Sequence, residues 1–427
     1  MNKLSALETE SPIINEDFNL FRTLSEGKNN DDPYYFYKKL REYDPVFYMK
    51  SSAGFLSESM WIVSKYADNN RVMASKKFGR GTNIINVDNV SSQKDRKVNS
   101  LTELKQRWVT FLDPPYHTRI REYINKTFTT KLVNNFKPRI TSISNFLIDC
   151  FEDEGEFELK SEFSYPLAAI VIAELLGVPP EERNLIRGWG SKLVKVLDGV
   201  AMGLSTDEIQ LVYKAADEIK DYFQKIVSEK AKDPKDDLIS AMLNMEIDGD
   251  RLTELEVTAT AVLLMVDAHE STKNLIANGM YALLQNPEQF ELLKKDPALT
   301  ENAIEEFMRY DSPGQFTGRR AHVDYEIGGK LIKKGSQVIC MLGAGNRDPD
   351  EFKDPDTLDI KRKNVKPLSF GGGLHYCAGA MLSRLEGQVA FDTLLERLPD
   401  LRLKEDEEYH YEKTFHGRGL VSLDLKF

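Results

Sequence analysis

The sequence predicts a single-domain fold that is mainly α-helical with a minor β region. Apolar residues follow a helical period through most of Thr118–Lys230, and one long helix is predicted from Leu252 to about Leu284. The middle of that helix is apolar on all sides, which indicates a helix that crosses the interior of the domain. The stretch Asp324–Leu342 alternates around glycine turns and predicts β-hairpins.

The remaining predicted elements follow from the same patterns. We expect residues 1–31 to be a polar, irregular N-terminal segment that precedes one domain of residues 32–427. The predicted elements are a helix at Pro33–Tyr43, strands at Val46–Met49 and Met60–Ser64, a surface loop over residues 79–107, a helix at Thr300–Tyr310, a helix from after Cys377 to about Leu398, and a short C-terminal sheet. A loop of that length is typically functional or disordered.

Composition excludes several classes of protein. The chain carries 68 acidic and 57 basic residues, and its net charge of −11 argues against a nucleic-acid partner. Three cysteines do not build a disulfide framework and indicate a reducing, cytoplasmic compartment. The start of the chain has no apolar signal region, and the apolar run Val257–Val266 is too short to span a bilayer, so we expect no membrane association.

The most informative stretch is Phe370–Gly379, with the sequence FGGGLHYCAG. Cys377 lies at the end of a glycine-rich turn, just before a predicted helix, where the helix dipole and free backbone N–H groups favour a thiolate. Gly371 and Gly373 let the backbone turn tightly and pass close to a flat ligand. A thiolate in such a position can bind an iron centre. The loop by itself is also compatible with an inert buried cysteine.

This stretch resembles Phe-Gly-x-Gly-x-His-x-Cys-x-Gly, the heme-binding loop of the cytochrome P450 family. The resemblance implies the cytochrome P450 fold and one heme b, with Cys377 as the axial ligand of the iron. It also places Phe370, Gly371, His375 and Gly379 at the heme. Three further motifs match the family in the same order along the chain.

The first motif is a charge network. Glu306 and Arg309 are three residues apart on a predicted helix and therefore share one face. With the downstream Arg362, they resemble the family's Glu-x-x-Arg helix and its partner arginine. The resemblance implies a buried structural network that holds the heme loop, and breaking a buried network is costly.

The second motif is Asp113–Arg121, in which His117 and Arg121 are four residues apart and project to one side of a helix. By resemblance these two side chains, together with Arg319 and His375, bind the heme propionates, because buried carboxylates require charged donors. A surface or capping role for His117 is the alternative.

The third motif, Asp267–Thr272, lies midway along the long helix and matches the family's Ala/Gly-Gly-x-Asp/Glu-Thr-Thr/Ser. By resemblance, Glu270 and Ser271 are the acid–alcohol pair that interrupts the helix locally and supplies protons for dioxygen reduction. The alternative is that these residues only cap a kink. Asp267 and Ala268 replace the usual small residues. Asp267 is a candidate anchor for a hydroxyl or amine of the substrate, and the alternative is that it bonds water or backbone in the helix groove.

The resemblance also outlines a substrate pocket. It draws on the loop over residues 79–107, residues 184–208, the long helix, and Thr414–Gly417. The individual residues predicted to line it are Leu263, Asp267, Gln315, Phe316 and Phe415. This lining indicates a medium or large, mostly apolar small molecule.

The implied activity is that of a soluble bacterial monooxygenase that hydroxylates or epoxidises a secondary metabolite, such as a polyketide or macrolide, with dioxygen. No flavin or nicotinamide motif is present, so electrons are expected from a ferredoxin or flavodoxin with its reductase. We expect a monomer. The alternatives are a fatty-acid or terpenoid hydroxylase, a peroxygenase, and a non-catalytic heme sensor or carrier.

Overall fold

Helices dominate the structure, which is a computed structural model describing residues 14–26, 29–51, 58–81, 99–182, 188–189, 192–193, 206–405, 407–412, 414 and 417–427. Its helices are α1 Leu20–Ser25, α2 Pro33–Tyr43, α3 Tyr66–Ala74, α4 Ser100–Lys105, α5 Tyr116–Thr127, α6 Thr130–Asp149, α7 Tyr165–Leu175, α8 Thr206–Lys232, α9 Leu238–Asn244, α10 Glu254–Leu284, α11 Pro287–Lys295, α12 Thr300–Tyr310, α13 Leu342–Gly345 and α14 Ala380–Arg397. Among the described residues, no helix is long and apolar enough to cross a membrane.

The strands form three small sheets. They are β1 Val46–Met49, β2 Met60–Val63, β3 Phe78–Gly79, β4 Glu156–Glu158, β5 Phe316–Ala321, β6 Tyr325–Ile327, β7 Lys330–Ile332, β8 Gln337–Met341, β9 Arg402–Leu403 and β10 Asp424–Lys426. The largest sheet has the order β1-β2-β8-β5-β3, in which only the β2–β8 pair is parallel. At its edge β3 pairs antiparallel with β5, with Phe78 opposite Ala321 and Gly79 opposite Arg320. The predicted balance of helix and strand is confirmed.

The long helix α10 is the centre of the main core. It begins with a capping box in which the Thr253 hydroxyl accepts the Glu256 N–H at 3.2 Å and the Glu256 carboxylate accepts the Thr253 N–H at 2.9 Å. Most residues of this helix are buried, as its apolar sequence predicts, except for one stripe at its middle that carries Asp267 and Ser271. It packs against α7, α8 and α14, so a residue at its midpoint lies deep in the domain.

Two expectations for the N-terminal part are wrong in the described residues. The segment expected to be irregular contains α1, whose first turn is capped by the Asn19 side chain accepting the Arg22 N–H at 3.0 Å. Leu20 and Phe21 on this helix are buried in a cluster against the main sheet. The loop expected over residues 79–107 contains α4, which buries Leu101 and Leu104. Residues 82–98 of that loop lie outside the described residues.

Candidate active site

The cysteine loop is a tight turn that ends at helix α14. Gly371 directly follows a short 3₁₀ turn at Leu368–Phe370 and has a φ of +69°. The Cys377 N–H donates to the Phe370 carbonyl oxygen at 2.9 Å and closes the loop. Cys377 therefore lies three residues before α14, as predicted from the sequence.

The protein around Cys377 does not by itself favour a thiolate. Although the residue keeps accessible surface, dense packing around it raises the pKa of its thiol above the ordinary value. The Gly379 backbone N–H acts in the opposite direction, as do the positive charges of Arg121 and Arg384. The backbone N–H at the helix start favours the thiolate, as expected from the sequence, but desolvation outweighs it. A metal cation at the sulfur would favour the thiolate.

Gly373 fixes the loop on helix α3. Its φ is +65°, and a Cβ at this position would lie 2.2 Å from the Met73 carbonyl oxygen. Any larger residue would force the two backbones apart. The loop therefore depends on α3 for its position as well as on its own turn.

The three residues of the predicted charge network lie together in the interior. Arg309 donates to both carboxylate oxygens of Glu306, at 2.7 and 2.8 Å, and Arg362 Nε lies 3.2 Å from each of them. Neither side chain of the Glu306–Arg309 pair has exposed surface. The remaining guanidinium donors of Arg309 reach backbone carbonyl oxygens, among them those of Asn346 and Pro355, so the buried charges are well paired.

Asn346 connects this network to the cysteine loop. Its carbonyl oxygen accepts from Arg309 at 3.0 Å, while its side chain accepts the Leu368 N–H at 2.7 Å and donates to the Ser369 hydroxyl at 2.9 Å. Ser369 in turn donates to the Met308 carbonyl oxygen at 2.6 Å. A chain of direct hydrogen bonds thus runs from the ion pair to the turn that carries Cys377.

The predicted propionate donors lie close together on one side of the loop. The rings of His117 and His375 lie 4.4 Å apart. Burial, followed by the positive charges of Arg80 and Arg319 and contributions from His117 and Arg121, lowers the pKa of His375 to about 2. The four predicted residues therefore share one strongly positive environment. The predicted surface alternative for His117 is wrong, since only 1% of that residue is exposed.

Arg80 is a further cation of this group, and the sequence did not identify it. Its backbone N–H donates to Asp113 at 2.8 Å, and the neighbouring Gly81 N–H donates to the other carboxylate oxygen at 3.0 Å. Its Nη1 donates to the Gly318 carbonyl oxygen at 3.2 Å. Burial, with Arg319 as the next cause, lowers the pKa of Arg80 to about 9. No local pattern marks this residue, because it stands alone in a stretch that resembles a loop.

The predicted acid–alcohol pair occupies the middle of α10, which is helical without interruption from Glu254 to Leu284. Glu270 is paired with Lys273, whose Nζ lies 2.7 Å from Oε2. The Ser271 hydroxyl makes only a long contact, 3.5 Å, with the carbonyl oxygen of Asp267. The break in the helix implied by the family resemblance is absent from this part of α10.

His269 closes the buried side of this pair. Its Nδ1 lies 2.7 Å from the Met265 carbonyl oxygen, which fixes Nδ1 as the donor and leaves Nε2 as an acceptor. Burial lowers the pKa of His269, so the ring is neutral and its 3.7 Å approach to Glu270 is not an ion pair. Lys273 is therefore the charge that balances Glu270.

Asp267 stands apart from these contacts. It is exposed on a helix whose neighbours Val266 and His269 are buried, yet surrounding protein raises the pKa of its carboxyl to about 7. The charge that opposes this shift is Arg80. Within the described part of the chain, no side chain or backbone group makes a hydrogen bond or ion pair to its carboxylate.

Comparison with known proteins identifies the family. The profile of the family described as Cytochrome P450 matches residues 82–424. The chain belongs to the cytochrome P450 family. It is 36% identical to cytochrome P450 CYP107DY1 of Priestia megaterium, over 94% of this chain and 98% of that protein. It is 34% identical to the polyketide biosynthesis cytochrome P450 PksS of Bacillus subtilis, over 92% of this chain and 95% of that protein.

Solved P450 structures share the fold. P450BioI in complex with an acyl carrier protein that carries hexadec-9Z-enoic acid has a TM-score of 0.85 and 35% identity, with 94% of this chain and all of that chain covered. The P450 PksS of the bacillaene polyketide synthase of Bacillus subtilis has a TM-score of 0.84 and 31% identity, with 96% and 99% covered. The chain therefore has the P450 fold and is a monooxygenase of the oxidoreductase class.

The residues present suit the heme iron that the P450 family uses. Burial lowers the pKa of the guanidinium groups of Arg80 and Arg319, and the Asp113 carboxylate opposes this shift in both. Beside them lie two imidazoles that burial keeps neutral. With Arg121 the site has a surplus of positive charge. Arg80 Nε and both ring nitrogens of His117 are buried without a partner at hydrogen-bonding geometry, although the Leu374 backbone lies near His117. Two carboxylates would satisfy these donors.

Two residues predicted to line the substrate pocket, Gln315 and Phe316, are engaged by other parts of the protein. The Gln315 side chain accepts from Tyr37 at 2.8 Å and donates to the Ser312 carbonyl oxygen at 2.7 Å, and it is 3% exposed. Phe316 packs against Phe21 with the ring centroids 5.4 Å apart. Phe316 belongs to the hydrophobic cluster that joins the N-terminal helices to the sheet, and Gln315 bonds to Tyr37 of the same cluster. Leu263 is buried in the main core, and Phe415 lies outside the described residues, as do most of residues 184–208.

Proposed function

We propose that this P450 binds heme b through Cys377 and oxidises a medium or large, mostly apolar small molecule. The observation that carries the proposal is the position of Cys377 at a tight loop beside a cluster of cations with a surplus of positive charge. Bound heme would supply one-electron chemistry and dioxygen activation. The protein's part is to hold the heme, exclude water, orient the substrate and deliver protons.

Each group of residues has a distinct part in this proposal. Arg121, Arg319 and His375 bind the two propionates together with Arg80 and His117. The Glu306 network fixes the loop that carries the axial sulfur. Phe370 packs at the same loop, where the Arg384 guanidinium lies 4.3 Å above its ring. These contacts hold the sulfur in place during turnover.

Proton delivery belongs to Ser271 and Glu270. The Ser271 hydroxyl is exposed and only weakly engaged by its own helix, so it is free to donate to dioxygen or to a water molecule. Glu270 has 21% of its side chain exposed, and exchange of Lys273 for water would connect it to solvent. General acid catalysis of this kind contributes about 10²- to 10⁴-fold to a rate.

We infer that a ferredoxin or flavodoxin, reduced by its own reductase, supplies the electrons. The basic residues near the cysteine loop give this inference limited support. Arg119 is paired with Asp250 and Glu256, and Lys126 is paired with Glu122, so these two cations are not available to a partner. Lys361, Lys363 and Lys366 are exposed cations in the segment that precedes the cysteine loop, and their charge would speed the encounter with an acidic partner.

The substrate class is inferred from relatives. One relative is described as a polyketide biosynthesis P450 and another as a biotin biosynthesis P450. We propose a secondary metabolite, with a polyketide or macrolide as the first candidate. The complex of P450BioI with a loaded acyl carrier protein favours a second candidate, an acyl chain presented on a carrier protein.

The test is a screen of the heme-loaded protein. Polyketides, macrolides, terpenoids and fatty acids would be added in turn, the last both free and on an acyl carrier protein, and the heme spin-state shift recorded. Compounds that shift the spectrum would then be incubated with dioxygen, a surrogate ferredoxin and its reductase. Incorporation of one oxygen atom into a product supports the proposal. A protein that binds heme but oxidises none of its spectral ligands would favour the sensor or carrier alternative.

A further inference from the structure

Asp267, midway along α10, has a carboxylate that pairs with none of the residues that the structure describes. It lies on α10 one turn before Ser271, whose hydroxyl approaches the Asp267 carbonyl oxygen at 3.5 Å. The next acid along the helix, Glu270, has Lys273 at 2.7 Å, whereas no described residue pairs with the Asp267 carboxylate. The two acids thus differ in whether the carboxylate is already paired. Of the two, Asp267 keeps its full capacity to accept hydrogen bonds from a ligand.

The surroundings place this carboxylate on the side of α10 that faces the cysteine loop and its cations. Its charge acts on the Cys377 thiol and on Arg80, so it lies near both the axial sulfur and the propionate cations. It is exposed on a face of α10 that also carries the exposed Ser271. Arg80 does not neutralise it through contact, since the guanidinium of Arg80 is directed to the Gly318 carbonyl oxygen.

A carboxylate in such a position is costly unless a partner compensates for the lost water. Although the side chain keeps accessible surface, desolvation by the surrounding protein raises its pKa to about 7, as expected for a carboxylate without a compensating charge in contact. A positively charged group of a ligand would offset the cost of the ionised carboxylate, and an anionic group would increase it. Asp267 would therefore select among ligands by binding cationic ones more tightly than anionic ones.

We propose that Asp267 is a specificity-determining residue that selects a substrate bearing a cationic nitrogen near the carbon to be oxidised. The inference rests on the proposed function, since it assumes that the substrate binds on this side of the heme. It adds to that function the charge class of the substrate and the residue that anchors it. Free fatty acids that place their carboxylate near the iron would be disfavoured.

The probes are a matched pair of small ligands that do not coordinate iron. Benzyltrimethylammonium carries a fixed positive charge, and neopentylbenzene is its neutral isostere. Binding of each to the heme-loaded protein would be measured by calorimetry and by spin-state shift at pH 8, where the Asp267 carboxyl is mostly ionised. The variants are Asp267→Asn, which keeps the shape, and Asp267→Ala.

We expect Asp267→Asn to weaken binding of the cation by about tenfold, through loss of one Coulombic contact, and to leave binding of the neutral isostere nearly unchanged. Glu254→Gln is the control, because it removes one negative charge from the same helix at a site where the carboxylate only accepts from Ser228. An equal loss of cation affinity in Glu254→Gln would show general electrostatic attraction and overturn the proposal.

Equal affinity for the cation in the wild-type protein and in both Asp267 variants would also overturn it. That result leaves the proposed monooxygenase function intact, provided that the reduced, carbon-monoxide-bound protein shows the absorption of a thiolate-ligated heme. Loss of that absorption in the wild-type protein would instead contradict the proposed function.

Discussion

Lys273 Nζ lies 2.7 Å from Oε2 of Glu270, so the acid of the predicted proton-delivery pair is already bound to a cation one helical turn away. The alcohol of the pair, Ser271, has no comparable partner. The two residues are therefore not equivalent. The hydroxyl is ready to donate at once, whereas the carboxylate must first leave Lys273.

Ser271→Ala should bind heme and substrate normally but divert electrons into hydrogen peroxide. The variant lacks the hydroxyl that donates to dioxygen, so product formed per electron consumed should fall by about tenfold or more. Thr260→Val is a matched control, because it removes a hydroxyl of the same helix that only donates to the Glu256 carbonyl oxygen at 2.8 Å. Unchanged coupling in both Ser271→Ala and Glu270→Gln would remove this pair from the mechanism.

Cys377→Ala should abolish the red-shifted absorption of the reduced, carbon-monoxide-bound protein, because the iron loses its thiolate ligand. Cys377→His should also lose it while retaining some heme. Cys150→Ser changes an exposed cysteine remote from the loop and should keep the wild-type spectrum. A thiolate spectrum that persists in Cys377→Ala would show that another residue ligates the iron.

Arg309→Leu should destabilise the fold by about 3–5 kcal/mol, because it leaves the fully buried Glu306 carboxylate short of its main partner. Denaturant unfolding of the heme-loaded protein measures the change. Arg22→Gln breaks a pair with Glu26 in which both side chains are more than half exposed, and should cost less than about 1 kcal/mol. Similar losses in the two variants would argue against the buried network as a support of the loop.

Arg80→Leu should release heme faster, by about tenfold or more, since one charged hydrogen bond to a propionate is lost. Transfer of heme to a scavenger protein gives the rate. Arg71→Leu is the control, because Arg71 lies on the surface and its Nε donates to the Tyr325 hydroxyl at 2.9 Å. An unchanged rate in Arg80→Leu would exclude Arg80 from the heme site.

Asp267→Asn should stabilise the protein more at pH 8 than at pH 5. The folded protein raises the pKa of this carboxyl from 3.8 to about 7, so between these values the native state binds more protons than the unfolded state. Stability attributable to this group therefore falls as pH rises through that window. Thermal midpoints of both proteins at the two pH values measure the effect. A pH-independent difference would indicate that the carboxyl ionises normally.

The sequence predicted the parts of the site that depend on local patterns. The helix ends at Pro33–Tyr43 and Thr300–Tyr310 are as predicted, because proline and tight apolar periodicity determine them locally. The cysteine loop and the Glu306–Arg309 pair were found because their residues are close together in the chain. Each of these depends on short spacing rather than on tertiary contacts.

The remaining errors arise from contacts between distant residues. Arg80 is positioned at the site by a hydrogen bond from its backbone N–H to the Asp113 carboxylate. Gln315 accepts a hydrogen bond from Tyr37 and Phe316 packs against Phe21, and no short-range pattern reveals those partners. The pKa of Cys377 depends on the density of surrounding protein, which outweighs the helix start that the sequence displays.

The pairing of β3 with β5 couples the formation of the sheet to the cofactor. Gly79 lies opposite Arg320 in this antiparallel ladder, so the next positions along the same register are Arg80 and Arg319. Two guanidinium groups on facing strands repel one another. Anions that bind both would convert this repulsion into attraction, and any ligand that prefers the folded state raises its stability. Heme loading and closure of this sheet edge should therefore be a single cooperative event, in which each step makes the other more favourable.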